Sequence, residues 1–197
     1  MSETHELVER AEHFIGDNRR IALLISVLAL FLALSETLGK SAQTSAISDN
    51  VQASDLWAFF QAKTIRQTVL RTASEALALS GTNNDAVKSG IKQKIDEWQK
   101  VIDRYEVDPE KPEGRKQLSE RALALEHSRD TALAKYHNYE IASAAFQIGI
   151  VLASASVITG MTILVFLSAG IGVLGILFTA FGLVAPELIH LALLGGH

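Results

Sequence analysis

The longest charge-free run in the sequence lies close to its C-terminus. No Asp, Glu, Lys or Arg occurs between Ile141 and Pro186. At ~1.5 Å per helical residue, this run of about 46 residues would extend roughly 69 Å, more than twice the ~30 Å hydrocarbon core of a bilayer. Backbone N–H and C=O groups in lipid must be satisfied within helices. The run therefore predicts a hairpin of two transmembrane helices, residues 141–160 and 163–186, with its turn between Thr159 and Ser168.

A second apolar segment runs from Ile21 to Ser35, between Arg20 and Glu36. It is uncharged for about 15 residues, fewer than the ~18 that identify a span with certainty. A buried core helix and the apolar region of a secretory signal are the alternatives, and the acidic residues before the segment argue against a signal. We expect a retained transmembrane helix over residues 19–40. The fold class is then an all-α integral membrane protein with three transmembrane helices, one N-terminal and two forming a C-terminal hairpin.

Composition argues against several classes of protein. The chain has 18 Lys+Arg and 22 Asp+Glu, and it has no cysteine. Acidic and basic residues are mixed in its middle region, so no basic surface for nucleic acid is predicted. Zero cysteine excludes disulfides, thiolate metal sites and a thiol nucleophile. Glycine-rich phosphate loops and serine nucleophile elbows do not occur either. We therefore expect no enzymatic activity, no cofactor and no nucleic-acid partner.

The segment between spans 1 and 2, residues 41–140, predicts an extramembrane helical domain. We expect helices over about residues 54–79, 88–106 and 115–140, and the last of these can continue into the second span without a break. The small polar run from Ser41 to Ala53 suits a linker or a frayed extension of the first span. Asp108 to Gly114, which contains two prolines, predicts the loop before the third helix.

Periodicity indicates how these helices pack. One side of the helix over residues 54–79 carries an apolar arc that includes Ile65, Val69 and Ala76, with Trp57 on the opposite side. In the next helix, apolar residues recur at the 4-3-4-3 spacing of a coiled-coil seam. These are Ile91, Ile95, Trp98, Ile102 and Tyr105. The match covers about two heptads, which favours a short antiparallel hairpin over a long coiled coil.

Both chain ends have simpler predictions. Residues 1–18 are expected to form an amphipathic helix that breaks at Gly16–Asn18, and its acidic polar face suits a protein surface better than anionic lipid. Glu9 and His13 have the i, i+4 spacing of two metal ligands, but this pattern is more often solvated charge, and no metal site is predicted. Residues 187–197 are predicted to be a C-terminal tail, and they lie outside the residues that the structure describes.

Small residues line one side of the second predicted span. They repeat at spacings of three and four, which lets helix backbones approach closely in lipid. This helix-packing or oligomer seam consists of Ala142, Ala145, Gly149, Ala153, Ser156 and Gly160. If it joins copies of the chain, Gly149→Leu should disrupt assembly more than Gln147→Leu. In the third span, Gly170, Gly172 and Gly175 are expected to allow close packing of the returning helix.

A second line on the same span is polar and consists of Ser143, Gln147 and Ser154. Gln147 is the strongly polar side chain of the run, and in hydrocarbon it requires a hydrogen-bonding partner. Such a residue either joins neighbouring helices or lines a water-filled path. The sequence therefore leaves two functions open, a homo-oligomeric membrane scaffold and a homo-oligomeric pore lined by this face.

Aromatic residues cluster near the two ends of the extramembrane domain. Trp57 and Phe60 form one group, and Tyr136 and Tyr139 form another just before the charge-free run. Amphipathic aromatic rings concentrate at lipid headgroups, so all four are candidate membrane-interface anchors. The alternative for Trp57 is contact with another helix of the same domain.

Three segments resemble a bacterial family catalogued as domain of unknown function 4337. They are SDLWAFFQAKTIRQ (Ser54–Gln67), DRYE (Asp103–Glu106) and HNYEIASAAFQIGIVLAS (His137–Ser154). The resemblance implies a helical inner-membrane protein with two C-terminal spans and supplies no catalytic residues. Relatives tend to have basic residues in the last hairpin turn, whereas Ile158 to Ile163 has none.

These observations predict a multi-pass protein of the bacterial inner (cytoplasmic) membrane. Arg10, Arg19 and Arg20 precede the first span and Lys40 follows it, which favours a cytoplasmic N-terminus and a periplasmic middle domain. The leading function is a non-enzymatic, self-associating scaffold or accessory protein, with the lipid bilayer, other copies of the chain and another membrane complex as its expected partners.

Overall fold

The computed structural model describes residues 2–81 and 83–186, with side chains from residue 19 onward. Four helices account for the regular structure of this part of the chain: α1 (Ser2–Leu79), α2 (Asp85–Glu106), α3 (Arg115–Thr159) and α4 (Thr162–Val184). Three of them, α1, α3 and α4, are long and apolar enough to cross a membrane. The all-helical class and the three apolar helices confirm that part of the sequence prediction.

The chain divides into two compact units. Unit 1 comprises the described residues of Met1–Ala46 and Asp130–His197, and unit 2 is Ile47–Arg129. Unit 1 contains the apolar parts of α1 and α3 together with α4. Unit 2 contains α2, the C-terminal part of α1 and the N-terminal part of α3.

The first helix differs from its prediction because it has no break at residues 16–18 or 41–53. Residues 41–53 are polar, but Ala42, Ala46 and Ala53 recur at spacings of four and seven and are buried. Hydroxyl groups in this region bond to carbonyls of the preceding turn, as Thr44 Oγ1 does to Lys40 O at 2.9 Å. A buried alanine face and locally satisfied hydroxyls are compatible with continuous helix. The expected helix start at residue 54 is therefore wrong.

The other helix ends agree more closely with the sequence. α2 begins one residue after its N-cap Asn84, whose Oδ1 accepts a 3.0 Å hydrogen bond from the Ala86 N–H. α3 passes without a break from charged sequence into the charge-free run, as predicted. The turn before α4 is at Gly160, which has φ +70, a left-handed conformation that glycine adopts without steric cost.

Three helices form the core of unit 1. Leu28 of α1 and Ala142 and Phe146 of α3 make a buried cluster, with Phe178 of α4 packed against it. The rings of Phe31 and Phe146 stack with their centroids 5.8 Å apart. Ser35 of α1 also hydrogen-bonds to the Thr179 hydroxyl of α4 across 2.9 Å. Apolar packing and one hydroxyl pair thus join α1 to both helices of the hairpin.

Candidate functional site

The small-residue seam of α3 faces the interior of unit 1. Ala142, Gly149, Ala153 and Ser156 are buried, and Ala145 is half-buried. These residues pack within the chain, which leaves them unavailable to a second copy. Gly160 is an exposed turn residue and does not belong to the packed line. The seam is thus a helix-packing surface, and its interpretation as an oligomer contact is incompatible with this burial.

Gly149 of α3 packs closely against both other helices of unit 1. A methyl group at this position would lie 3.2 Å from Leu28 Cδ1 and 3.4 Å from the Ser168 carbonyl oxygen. The Ser168 hydroxyl donates a 2.7 Å hydrogen bond to the Gly149 carbonyl. Gly149→Leu would therefore disrupt folding of unit 1 directly, and its effect on assembly could not be separated from that defect.

Large side chains of α1 and α3 pack against glycines of α4. A methyl group on Gly172 would lie 2.6 Å from Leu28 Cδ2, and one on Gly182 would lie 2.7 Å from Tyr139 Cε1. Gly175 faces Phe146 in the same way, at 2.7 Å from Cε1. Gly170 has nothing within 4 Å and is exposed, so its predicted packing role is wrong.

The polar line of α3 lies mainly on the outside of unit 1. Ser143 is half-buried, whereas Gln147 and Ser154 are exposed. The Ser154 hydroxyl donates a 2.8 Å hydrogen bond to the Ile150 carbonyl of its own helix. Among the described residues, Gln147 has no hydrogen-bonding partner, and its exposed neighbours Ile148 and Val151 are apolar. Gln147 is therefore an exposed amide on a largely apolar surface, available to a partner outside the described part of its own chain.

The four candidate anchor residues make contacts within their own units. In unit 2, the half-buried Trp57 donates from Nε1 to Glu126 Oε1 at 2.9 Å, and its ring meets Phe60 edge to face at 5.4 Å. In unit 1, Tyr139 is buried against Gly182, and the Tyr136 hydroxyl lies 3.5 Å from Glu140 Oε1. Contact of Trp57 with another helix agrees with the alternative interpretation. A position of these rings at a lipid interface stays a prediction.

A polar cluster in unit 2 joins its three helices around Arg115. The guanidinium group donates to Gln67 Oε1 at 2.6 Å, to Glu106 Oε2 at 2.8 Å and to Thr64 Oγ1 at 2.9 Å. Its carbon also lies 4.8 Å from the centroid of the Phe60 ring. Gln67 is buried and donates in turn to the Ile102 carbonyl. The network connects α1, α2 and α3 and satisfies the charge of Arg115.

Lys63 lies in the same part of unit 2 and is buried. Its Nζ is 4.8 Å from the centroid of Phe59 and 6.0 Å from that of Tyr105. Aromatic faces stabilise an ammonium group by their quadrupole. Because Tyr105 belongs to α2 and Lys63 to α1, this arrangement is suited to holding the two helices together.

The Gln117 side chain hydrogen-bonds to both ends of the loop between α2 and α3. Its Oε1 accepts from the Asp108 and Gly114 N–H groups at 3.1 and 2.8 Å, and its Nε2 donates to the Asp108 carbonyl at 3.0 Å. Asp108 Oδ1 accepts from the N–H groups of Lys111 and Glu110. The bond from Lys111 is the main cause that lowers the pKa of Asp108 below 3.8, with help from the Glu110 bond and the charges of Arg104 and Lys63.

Hydrophobicity alone does not predict this polar cluster, because the packed face of α1 includes long polar side chains. Phe60, Lys63, Gln67, Leu70 and Ser74 recur at 3-4-3-4 spacing and form the covered side. Because Lys63 and Gln67 are polar, the 3-4-3-4 spacing of this packed side does not stand out as an apolar pattern. Ile65, Val69 and Ala76 of the predicted apolar arc are exposed instead.

Comparison with known proteins agrees with the resemblance seen in the three sequence segments. The family model described as Domain of unknown function (DUF4337) matches residues 17–185. No curated protein and no solved structure matches the chain. Because the match covers nearly the whole of α1 to α4, this protein belongs to the DUF4337 family.

Proposed function

We propose that this protein is a non-enzymatic scaffold or accessory protein of the bacterial inner (cytoplasmic) membrane, which it crosses three times. It self-associates there and assists another membrane complex. Its orientation has a cytoplasmic N-terminus and a periplasmic unit 2, in agreement with the arginines before the first span.

The outward surfaces of the three apolar helices support insertion in lipid. Exposed apolar side chains occur on each of them, including Leu23 and Leu30 of α1, Val151 of α3, and Phe166 and Val173 of α4. Contiguous apolar surface on this scale is unfavourable in water, where burial yields about 25 cal/mol per Å². A hydrocarbon environment removes that penalty.

Gln147 is the observation that carries self-association. Within a bilayer, an amide without a hydrogen-bonding partner costs roughly 2–7 kcal/mol relative to water. Gln147 projects from the outward side of α3 between Ile148 and Val151, and the described part of its own chain offers it no partner. A glutamine can both donate and accept, so two copies can satisfy each other reciprocally. Interhelical bonds of this kind contribute about 0.6–2 kcal/mol each.

The same face supports a scaffold better than a pore. A water-filled path requires polar groups at every helical turn that lines it. Between Gln147 and Ser154, the intervening turn presents the apolar Val151, and the Ser154 hydroxyl donates to a carbonyl of its own helix. The isolated amide of Gln147 is suited to joining helices. The interrupted polar line of α3 does not form a continuous pore lining.

The test is particle mass in a mild detergent or nanodisc, where each copy contributes 21.4 kDa. Gln147→Leu should lower the association constant roughly 3- to 30-fold, the equivalent of one hydrogen bond of about 0.6–2 kcal/mol. Ser154→Ala is the matched control on the same face and should leave the mass distribution unchanged. A parent protein that is a single chain at all accessible concentrations would refute self-association.

A further inference from the structure

The C-terminal part of α1 carries an apolar stripe on the side facing away from α2 and α3. Its members, spaced 3-4-3-4-3, are Ala62, Ile65, Val69, Thr72, Ala76 and Leu79. We call this set the α1 stripe. Ile65 is 64% exposed, Val69 60% and Leu79 85%. The spacing is that of the a and d positions of a coiled coil, whose seam normally faces another helix.

A shallow groove, open to the outside and lined by residues of α1 alone, follows the stripe. Seven residues of α1 line an apolar space of about 550 Å³. They are Thr64, Ile65, Thr68, Val69, Thr72, Ala73 and Ala76. Small side chains along this groove, threonines and alanines among them, allow a neighbouring helix to approach closely.

Unit 2 supplies no helix to cover the stripe in the part of the chain that the structure describes. α3 begins at Arg115, which bonds to Thr64 and Gln67, and further along it contacts Trp57 through Glu126. α3 therefore runs toward the N-terminal part of this segment of α1. Beyond Gln67, the described neighbour of α1 is α2, which packs on the side of Gln67 and Ile102.

A second copy of this chain fits the stripe by its charge. In a parallel, in-register pair, each stripe residue meets its own equivalent, and the flanking pairs across the seam are Gln61 with Arg66, Thr68 with Ala73 and Glu75 with Ser80. These pairs bring no like charges together, and no stripe residue is charged. Two copies inserted in one membrane have the same orientation, so the parallel arrangement is the one available to them.

The extent of the surface also suits a pair of copies. Exposed apolar residues on this side of α1 begin at Ile47 and continue through Val51 to Leu79. At ~1.5 Å per residue and a contact width of about 10 Å, that length offers roughly 480 Å² on each helix. Two copies would bury about 960 Å², just under the ~1,000 Å² lower limit of a specific interface, so the contact by itself would be weak. Confinement to one bilayer raises the effective concentration further.

We propose that the α1 stripe is the contact through which two copies pair in parallel and in register outside the membrane. This inference rests on the proposed function, because it requires inserted, self-associating copies. The stripe is a second contact between copies, in addition to that of Gln147. Its geometry is specific, since Ile65 of one copy lies opposite Ile65 of the second.

Disulfide trapping tests this geometry, because the chain has no native cysteine. Ile65→Cys and Arg71→Cys are made separately and oxidised with copper phenanthroline in native membranes. Adjacent copies at the seam bring the Ile65→Cys sulfur atoms within disulfide range, so most of that variant should become a linked dimer. Arg71 is exposed on another side of α1 and should give only the small collisional fraction.

Three results would overturn the stripe contact. Linked dimer from Ile65→Cys no greater than that from Arg71→Cys would exclude the in-register pair. Protection of the Ile65→Cys thiol from a water-soluble maleimide without dimer formation would assign the stripe to lipid, and a linked product of another mass would assign it to a different protein. Particle mass separates the two proposals: a single-chain parent refutes both, whereas an oligomeric parent without the Ile65→Cys dimer refutes the stripe contact alone.

Discussion

Single residues in unit 1 show how small side chains determine which surfaces face inward. Phe146 is fully buried, stacks on Phe31 and occupies the space above Gly175. Gly172 and Gly182 accept Leu28 and Tyr139 in the same manner. In each contact a large residue of one helix enters the gap left by the absence of a side chain on α4. The close packing of the hairpin therefore depends on glycines at particular positions and not on their number.

Gly175→Ala tests this dependence. The new methyl group would lie 2.7 Å from Phe146 Cε1 and 2.9 Å from Cζ, well inside the ~3.5–4.0 Å of carbon contacts. Because Phe146 is enclosed, we expect overpacking to destabilise the protein by about 1–3 kcal/mol. Thermal unfolding in detergent, followed by circular dichroism, measures the change.

Gly170→Ala is the control for that substitution. Gly170 is in the same helix but is exposed and has open space around it. Alanine in a helix is favoured over glycine by roughly 0.5–1 kcal/mol, so this variant should be equal to or more stable than the parent. Equal melting temperatures for Gly175→Ala and Gly170→Ala would contradict the packing described for Phe146.

At the scale of helices and loops, the sequence predicted the apolar elements better than the polar ones. The charge-free run fixed α4 and the hairpin turn, because exclusion of charge is a strong signal over many residues. Polarity left residues 41–53 open to two interpretations, a linker or an extension of the first span, because composition does not reveal the buried face that their alanines form. The small residues of α3 correctly indicated a packing surface. Periodicity alone could not tell whether its neighbour was α1, α4 or another copy.

The loop between α2 and α3 gives a prediction about pH. Asp108 has a lowered pKa in the folded protein because its carboxylate accepts the Lys111 and Glu110 N–H groups and lies near Arg104 and Lys63. Its charge therefore stabilises the folded state above the ordinary value of 3.8, and that contribution is lost as pH falls through the lower folded pKa. Asp108→Asn keeps an acceptor oxygen but removes the charge, so it should melt at a lower temperature than the parent at neutral pH.

The difference between parent and Asp108→Asn should shrink as the pH is lowered below 3.8, because the protonated aspartic acid is then also uncharged. Tryptophan fluorescence reports this transition selectively, since the chain has two tryptophans and both, Trp57 and Trp98, belong to unit 2. A melting difference that stays constant from neutral pH to well below 3.8 would show that the carboxylate charge has no part in holding the loop.

For the molecule as a whole, the proposed orientation assigns each exposed segment to one side of the membrane. With the N-terminus in the cytoplasm and three spans, the segment containing α2 faces the periplasm, and the α3–α4 turn returns to the cytoplasm. Arg19 and Arg20 before the first span favour this orientation, although neither Gly160 nor Met161 adds charge at the turn. The assignment therefore depends on charges at one end of one span, which makes direct measurement of the two sides decisive.

Single cysteines can report both sides, since the parent has none. Gly90 of α2 has open space around it, and Met161 at the turn is exposed, so either position accepts a cysteine without repacking. We expect a membrane-impermeant maleimide to label Gly90→Cys in cells with a permeabilised outer membrane, and to label Met161→Cys only after the inner membrane is opened. The reverse labelling pattern would show the opposite orientation, with unit 2 in the cytoplasm. Labelling of both positions in intact inner membranes would mean that the α3–α4 hairpin does not cross the bilayer, because its turn and α2 would then lie on the same side.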